Sequence, residues 1–373
     1  TVKEAKGGKG FSVTASSGLS TSKTNGSEAN TGLSTSLTAE LPVYSGGKTD
    51  ASISSGELGV KSAVLSTKRE REDIKLKVIT AYYNALEAKK TVNVDQESVD
   101  NYQAHLTNVQ QLYSAGSKAR IDVLSSSVEL SNARQTLIKA QNAYEVDLAT
   151  LRNILNIDRN EPLNLTDDVV YAPFDRDMNA CVDYAYQNRK DLKVDAYTLE
   201  QKELSVKMAE AGLKPTLSLS LGTSLANQFS PSKDDSHTFK AGINASWNVF
   251  DSGVTRAEID AAKTARDVAR LNLNKDRDDV DLTVRQAYYN MKEAEKRFTS
   301  TGDAINQAKE NYYIAREKYR AGEGLMLDII DAQLSLSTAE LNYITAQYDY
   351  ARYKATLENA MGIELSEAQK KAA

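Results

Sequence analysis

The chain has 373 residues, enough for two ordinary domains, and its single cysteine, Cys181, cannot form an internal disulfide. The formal net charge is −5, and basic residues are interspersed with acidic ones along the helical stretches, which argues against nucleic acid as a partner. No apolar run is long enough for a transmembrane helix. These features argue against a disulfide-stapled module and against a membrane-spanning helix.

The first predicted element is a strand hairpin over 9–44. In 32–43, apolar residues such as Leu33, Leu37 and Leu41 alternate strictly with polar ones. Period two is typical of a strand with one apolar and one polar face. The strand length suits a tilted crossing of a bilayer, but a soluble sandwich has the same alternation, and four such strands cannot close a barrel by themselves. The pattern alone leaves both alternatives open.

A long helical hairpin follows over 47–156. Its first helix contains no proline, and Val78, Ala81 and Ala85 are spaced three and four residues apart, which is coiled-coil periodicity. The helical pattern breaks at Gly116 and then resumes. Because glycine is a usual helix stop, we expect a bend at this point.

The second half of the chain repeats the first at a fixed offset. Ala81-Tyr82-Tyr83-Asn84 recurs as Ala287-Tyr288-Tyr289-Asn290, and 287 minus 81 is 206. The sequence therefore predicts a duplicated unit. The first repeat covers 1–157. The second covers 211–363, with a strand hairpin over 214–250 and a helical hairpin over 253–362, and a tail follows over 364–373.

Residues 158–210 separate the repeats and read as a linker followed by helices. The part up to Asp177 holds two prolines and several acidic residues, and a helical pattern begins at Met178. The counterparts of 178–206 in the first repeat would lie before Thr1. We therefore expect the natural protein to begin earlier than this chain, with any secretory signal removed.

The order of these elements resembles the TolC-like outer-membrane efflux proteins. The residues that carry the resemblance are Leu41-Pro42-Val43-Tyr44-Ser45-Gly46-Gly47, the Ala-Tyr-Tyr-Asn repeat, the Ala-Gly bends with Asp six residues after the Gly, and Ala211-Gly212-Leu213-Lys214-Pro215-Thr216-Leu217. The resemblance covers essentially the whole chain. As a set these features are highly specific, although each alone is weak.

The resemblance implies a mixed α and β membrane protein in the outer membrane of a two-membrane bacterium. Three copies would each give four strands to a twelve-stranded β-barrel among the outer-membrane lipids. The helical hairpins would continue the barrel as a coiled-coil tunnel in the periplasm. The homotrimer would work with a periplasmic adaptor protein and an inner-membrane pump or ABC exporter, in multidrug efflux or type I secretion.

The expected gate lies at the second bend. Asp328 and Asp331 are three residues apart, so their carboxylates share one helix face, although an ordinary helix start carries the same pattern. In the family the matching pair faces the tunnel axis at the closed tip, which implies a carboxylate ring that selects cations and is blocked by multivalent ones. Asp122 and Tyr319 match positions that help to hold the tip closed; a turn carboxylate and a packed aromatic would look the same.

One departure from the family affects the tether of the tip. Gly324 stands where the best-known member has an arginine that links neighbouring coils, so that ion pair is not carried over. The first bend carries Lys118 and Arg120, and the second carries Glu323. We hypothesise that Arg120 supplies the tethering charge here, although exposed ion pairs contribute only about 0–1 kcal/mol.

Two further sets of residues are assigned by position. By resemblance, Gly116, Gly322 and Leu325 at the bends form the adaptor-docking surface; as bare sequence they are helix stops and a capping hydrophobe. The strand-to-helix corners are expected to be structural, because proline fixes φ and glycine relieves strain. These corner residues are Pro42, Gly47, Pro215 and Gly253.

The sequence argues against an enzyme. His105 and His237 have no nucleophile pattern, phosphate loop or metal-ligand spacing around them, so no cofactor and no metal are expected. The alternative to a channel is a coiled-coil scaffold or tether, which the long helices alone would suggest. The four amphipathic strands disfavour it, since a scaffold does not need them.

Overall fold

The structure is a computed structural model that describes residues 2–23, 25–26, 28–159, 161–165, 169, 171–230 and 234–363. The chain divides into two compact units. The strand unit consists of Thr1–Lys68 and Lys190–Arg277, and the helical unit consists of Arg69–Arg189 and Asp278–Ala373. This division does not follow the sequence repeat, since each unit takes residues from both repeats.

The strand unit contains one antiparallel sheet. Its strands are β1 (Ser12–Ser22), β2 (Asn30–Tyr44), β3 (Thr216–Ser230) and β4 (Asp234–Ser246), in the order β1-β2-β3-β4. The predicted alternation continued to Val249, but β4 ends at Ser246, and the indole of Trp247 donates a hydrogen bond to the carbonyl of Leu213 at 3.0 Å. The last pair of the ladder joins Ser246 to Thr216, and the residue before Thr216 is Pro215, which has no N–H to donate to a further pair.

Apolar side chains line up across the sheet. Leu19 lies opposite Leu33, Leu41 opposite Leu219, and Leu219 opposite Ile243. Large apolar side chains on these strands remain exposed in the single chain: Leu19, Leu33, Leu37, Leu41, Leu219, Leu221, Leu225, Phe239 and Ile243. Apolar faces of this kind mark a surface that contacts lipid or other protein.

The helices account for the rest of the regular structure. They are α1 (Val2–Gly7), α2 (Lys48–Ser114), α3 (Arg120–Leu155), α4 (Met178–Asn188), α5 (Lys190–Glu210), α6 (Val254–Arg320) and α7 (Met326–Ala360), with a 3₁₀ turn at Ala211–Leu213. The short α1 was not anticipated from the sequence. Among the described residues, no helix carries an apolar stretch that could cross a membrane.

The seam of the predicted coiled coil, which is the row of apolar residues spaced three and four apart in α2 and its counterpart in α6, is buried unequally in the two repeats. In α6 its members are all buried: Val280, Val284, Ala287, Met291 and Ala294. In α2, Ala81 and Ala85 are buried with Leu148, Leu151 and Tyr348 in one core cluster, whereas Ile74 is 44% exposed. Small residues at the seam let the helices of the helical unit approach closely, as the periodicity indicated.

The linker between the repeats packs against helices of the helical unit. The hydroxyl of Tyr350 donates to the carbonyl of Ala172 at 2.7 Å, and Lys292 Nζ donates to that of Phe174 at 3.1 Å. The ring of Tyr171 lies 5.5 Å from that of Phe298 and 5.3 Å from that of Tyr350. Although it has no helix or strand of its own, the described linker is therefore held by specific contacts. Residues 364–373, the predicted tail, lie outside the described residues.

Candidate functional site

Both bends of the helical unit have the same backbone geometry. At the first, Gly116 has φ of +77° and its N–H donates to the carbonyl of Tyr113, while Ser117 N–H donates to that of Leu112. At the second, Gly322 has φ of +83° and makes the corresponding bond to Tyr319. This is a Schellman-type helix end, in which glycine takes the left-handed position. Gly116 and Gly322 are therefore required by the turn itself.

Asp122 and Asp328 cap the helices that follow the bends. Asp122 Oδ2 accepts from the N–H of Ala119 at 3.2 Å, and Asp328 Oδ2 accepts from that of Leu325 at 3.0 Å. A carboxylate in the first turn also interacts favourably with the helix dipole. The sequence assigned Asp328 to a gate, and the structure adds a capping role that its spacing from Leu325 could have indicated.

Asp331 differs from Asp328 in having no capping role. Its side chain is exposed on α7, and Ser335 Oγ donates a hydrogen bond to its backbone carbonyl at 2.7 Å. Both carboxylates of the predicted pair are thus on the surface of the single chain, where other copies could bring like charges together. A substitution of Asp331 therefore tests charge selection without disturbing the cap of α7, which Asp328 provides.

Tyr319 lies at the centre of the contacts between the bends. It is 1% exposed and packs with Val109, Ala315 and Ile329. Lys118 Nζ, from the first bend, lies 4.1 Å from the centre of the Tyr319 ring. Burial raises the pKa of Tyr319, and the charge of Asp122 raises it further. The structure therefore brings together Asp122 and Tyr319, which the sequence had placed at the same tip from distant parts of the chain.

His105 is a residue of this cluster that the sequence did not indicate as functional. Its ring centre lies 5.3 Å from that of Tyr319, and its Nε2 lies 2.9 Å from Met326 Sδ. Burial lowers the pKa of His105, while the Asp122 carboxylate opposes that effect. One signal was available: His105 and Val109 are four residues apart and therefore lie on the same face of α2.

Arg120 is exposed at the start of α3. It forms no ion pair with any residue that the structure describes. The tether hypothesis therefore has no intrachain partner and needs a neighbouring copy. The exposed guanidinium of Arg120 beside the first bend is accessible for such an ion pair with a neighbouring copy.

Gly324 is closely packed against the end of α6. Its N–H donates to the carbonyl of Lys318 at 3.1 Å, and a Cβ at this position would lie 2.9 Å from Tyr319 N and 3.2 Å from Lys318 C. Any larger residue would displace the backbone of the bend. An arginine cannot be added here without a change in the shape of the tip.

The bends also expose apolar side chains. Leu325, predicted to contact an adaptor, is 69% exposed, and its neighbours Leu327, Ile121 and Leu124 are exposed as well. Isolated exposed apolar residues are common, but three leucines and an isoleucine at the starts of α3 and α7 form a candidate docking surface. The glycines of the same set, Gly116 and Gly322, act through the backbone.

The strand-to-helix corners require one correction. Gly47 and Gly253 have φ of +93° and +89° before α2 and α6, and Pro215 directly precedes β3. Pro42, by contrast, lies inside β2 opposite Ser218, beside a register shift. Proline lacks the N–H that a regular ladder needs, so it accompanies an irregularity in the strand and not the corner.

The structure describes no group of three or more His, Cys, Asp or Glu residues arranged to hold a metal ion. Cys181 is fully buried in α4, and burial raises the pKa of its thiol. A buried thiol that stays protonated acts in packing.

A comparison with protein families identifies the chain. The model of the outer membrane efflux protein family matches residues 10–156 and 181–363, which include the sheet and both bends. The chain belongs to this family. Its members are transport channels of the outer membrane with a periplasmic helical tunnel, and they are not enzymes.

Curated relatives are distant in sequence. The chain is 19% identical over 352 residues to the outer membrane efflux protein BepC of Brucella suis biovar 1, covering 94% of this chain and 76% of BepC. It is 22% identical over 316 residues to the outer membrane protein TolC of Escherichia coli K12, covering 82% of this chain but 64% of TolC. The chain thus spans less than two thirds of the length of TolC.

Solved structures share the fold. The outer membrane channel CmeC of Campylobacter jejuni superimposes with a TM-score of 0.84 at 17% identity, covering 99% of this chain and 82% of CmeC. The outer membrane protein VceC of Vibrio cholerae gives 0.83 at 15% identity, covering 97% and 89%. The mixed α and β channel fold predicted from the sequence is therefore confirmed.

Proposed function

We propose that three copies of this chain form an outer-membrane channel-tunnel that passes substrates from an inner-membrane pump and a periplasmic adaptor to the outside. The observation that carries the proposal is the four-stranded sheet. Among the described residues, its order leaves one edge of β1 and one of β4 without a partner strand, and it exposes large apolar side chains. Open edges of this kind are covered by further strands, which other copies of the chain supply.

The proposal is tested first by the assembly of the protein. Extraction that requires detergent and yields a trimer by light scattering supports the channel. A monomer or dimer obtained without detergent contradicts it and favours the scaffold or tether, which the long helices alone would also serve.

The gate is proposed at Asp328 and Asp331. Both carboxylates are exposed, and three copies would bring them together as a ring that attracts cations. The sharper test is Asp331→Asn, because Asp328 also caps α7. In single-channel recordings Asp331→Asn should weaken cation selectivity and block by multivalent cations. Asp303→Asn, at an exposed carboxylate on α6, is the matched control and should leave both unchanged; the gate is contradicted if Asp331→Asn behaves in the same way.

The tether is proposed at Arg120. Because this side chain has no ion pair among the described residues of its own chain, an acidic residue of a neighbouring copy is its expected partner. Arg120→Ala should then raise conductance by loosening the closed tip. A conductance equal to that of the wild type would contradict the tether.

Adaptor docking is proposed at the bends, through Leu325 with the turn set by Gly116 and Gly322. The support is the exposure of Leu325 beside other apolar side chains at both helix starts. Leu325→Ser should reduce export while trimers and conductance persist. Normal export by this variant would contradict docking at Leu325.

Two kinds of cargo remain compatible with the relatives. The toluene efflux pump protein TtgC of Pseudomonas putida is 22% identical over 315 residues, and the alkaline protease secretion protein AprF of Pseudomonas aeruginosa is 22% identical over 320. We infer that the inner-membrane partner chooses between small-molecule efflux and type I secretion. Copurification with an adaptor and either a drug pump or an ABC exporter would decide between them.

A further inference from the structure

We propose that His105 is a positioning residue that holds the two bends of the helical unit together, and that only its uncharged imidazole does so. Acidification would then loosen the bends. The inference concerns the packing of the helical unit, and it rests on the proposed function only where it extends to conductance.

The geometry joins three helices at His105 and a fourth through Met326. His105 belongs to α2; its ring contacts Tyr319 of α6 at 5.3 Å between centres, and its Nε2 lies 2.9 Å from Met326 Sδ of α7. Ser126 Oγ of α3 donates to the same sulphur at 3.8 Å. Movement of α6 or α7 relative to α2 would separate His105 from a partner, and movement of α3 would separate Ser126 from Met326.

The surroundings of His105 favour the neutral ring. It is 8% exposed and adjoins the apolar cluster that contains Val109, Tyr319 and Ile329. A thioether is a weak acceptor for one N–H of the imidazole, and it offers an imidazolium no charge. A buried cation without a full counter-charge is unfavourable, so a protonated His105 is better accommodated in water.

The charged and titratable groups around His105 come from each neighbouring element. From α3 the Asp122 carboxylate acts on the ring, and from α6 Tyr319 faces it. From the first bend Lys118 reaches the same tyrosine, and from α7 the neighbour is the uncharged Met326. On α2 itself, Tyr102 lies one turn earlier, and its pKa is raised to about 12 by burial and by charges that include Glu129 and Asp331. Asp122 is thus the group placed to favour the imidazolium.

The sign of the pH effect follows from burial. Burial lowers the pKa of His105 below its ordinary value of 6.5, with Asp122 opposing. The opened state, in which water reaches the ring, binds a proton more readily than the closed state does. The stability of the closed bends is therefore complete above about pH 6.5 and is lost as the pH falls towards the lowered pKa.

The test measures amide hydrogen exchange of the detergent-solubilised full chain at about pH 7.5 and about pH 5, corrected for intrinsic rates. Amides of 105–109, 119–126 and 319–329 should exchange about threefold faster or more at the lower pH. His105→Gln, which cannot gain a proton, should abolish the difference. His237→Gln is the matched control, because the chain has two histidines and His237 lies exposed in β4. A wild-type response that persists in His105→Gln, or no response in the wild type, overturns the proposal.

A second variant keeps His105 in place and guards against misfolding. Asp122→Asn retains an oxygen that can cap α3 but removes the charge that favours the imidazolium. The response should then begin at a lower pH than in the wild type. Asp328→Asn makes the equivalent change at the cap of α7 and should leave the midpoint unchanged. An unchanged midpoint in Asp122→Asn, or equal shifts in both variants, would contradict the role given to Asp122 and the proposal with it.

Conductance recorded over the same pH range separates this inference from the proposed gate. Exchange that depends on His105, together with conductance that rises on acidification, supports both. Exchange that depends on His105 with conductance insensitive to pH supports the His105 inference and contradicts the placement of the gate at the bends. Exchange insensitive to His105 overturns the inference whatever the conductance shows.

Discussion

Gly46 and Ser252 occupy the same position in the two repeats, and both adopt the left-handed backbone, with φ of +67° and +56°. Only at Gly46 is a side chain excluded by packing, because a Cβ there would lie 2.9 Å from the carbonyl oxygen of Ala211. Serine tolerates this conformation less well than glycine does. The duplicated corners thus share a backbone shape that two different residues maintain.

This relationship predicts opposite effects of two substitutions in the strand unit. Gly46→Ala should destabilise the protein by about 1–3 kcal/mol, because it combines an unfavourable φ with a steric clash. Ser252→Gly should leave stability unchanged or raise it by up to about 1 kcal/mol. Thermal unfolding of the detergent-solubilised protein measures both, and equal losses in the two variants would contradict the packing argument.

Substitution by alanine should have opposite effects on stability at two glycines of the helical unit, Gly324 in the second bend and Gly302 within α6. Gly324→Ala should lower the unfolding temperature and alter conductance, because its Cβ would press on the backbone of Lys318 and Tyr319. Gly302→Ala should stabilise by about 0.5–1 kcal/mol, since Gly302 lies within α6 and an added Cβ meets only Tyr343 at 3.9 Å. Unchanged stability and conductance in Gly324→Ala would refute the steric account of this bend.

Arg352 should be one of the most sensitive side chains of the helical unit. Its guanidinium donates to Asn84, Glu87 and Asp349, and its side chain is 17% exposed. Arg352→Met removes the ion-pair partner of Glu87 and one of the two of Asp349, which Arg297 also contacts at 2.8 Å, and should destabilise by about 2–4 kcal/mol. Arg320→Met, which breaks an exposed pair with Glu317, should change stability by about 1 kcal/mol or less. Similar losses in denaturant unfolding of the two variants would contradict the importance of burial.

Glu358 predicts a measurable pH dependence of stability. Burial raises the pKa of this carboxyl, and the charges of Lys354 and Arg176 oppose the shift. Because the folded-state pKa of Glu358 is raised, the folded protein favours the protonated carboxyl. The stability of the wild type is therefore full below the ordinary pKa of the carboxyl, and part of it is lost as the pH rises through the folded-state pKa. Glu358→Gln should therefore match the wild type near pH 4 and be more stable than the wild type near pH 7. Parallel stability curves for the two proteins would exclude this effect.

The predictable parts of the fold depend on local patterns. The strict alternation in β2 follows from a two-residue period, and the helix stops at Gly116 and Gly322 follow from the left-handed turn that glycine favours. The end of β4 was less predictable, because the alternation continues through Trp247, whose indole donates a hydrogen bond to the carbonyl of Leu213. That hydrogen bond joins residues from separate elements and has no signature in the period of the strand.

At the bends, too, some features could be predicted from the sequence and others became evident only from the structure. Asp328 was identified from its spacing and from the family resemblance, whereas its bond to the N–H of Leu325 became evident only from the backbone of the bend. His105 had no recognisable motif, since its partners Tyr319 and Met326 are more than two hundred residues away in the chain. Such contacts depend on which helices pack together, which periodicity does not specify.

The sequence by itself determined the duplication, the alternation of the strands, the long helical hairpins and the family, because each of these is written in short-range spacing or in a fixed offset. The tertiary structure decided which of the repeated positions differ in environment. It buried the seam of α6 while leaving Ile74 of α2 exposed, and it placed His105 of the first repeat against Tyr319 of the second. Burial and electrostatic environment depend on neighbours from distant segments, and these are fixed only when the helices pack.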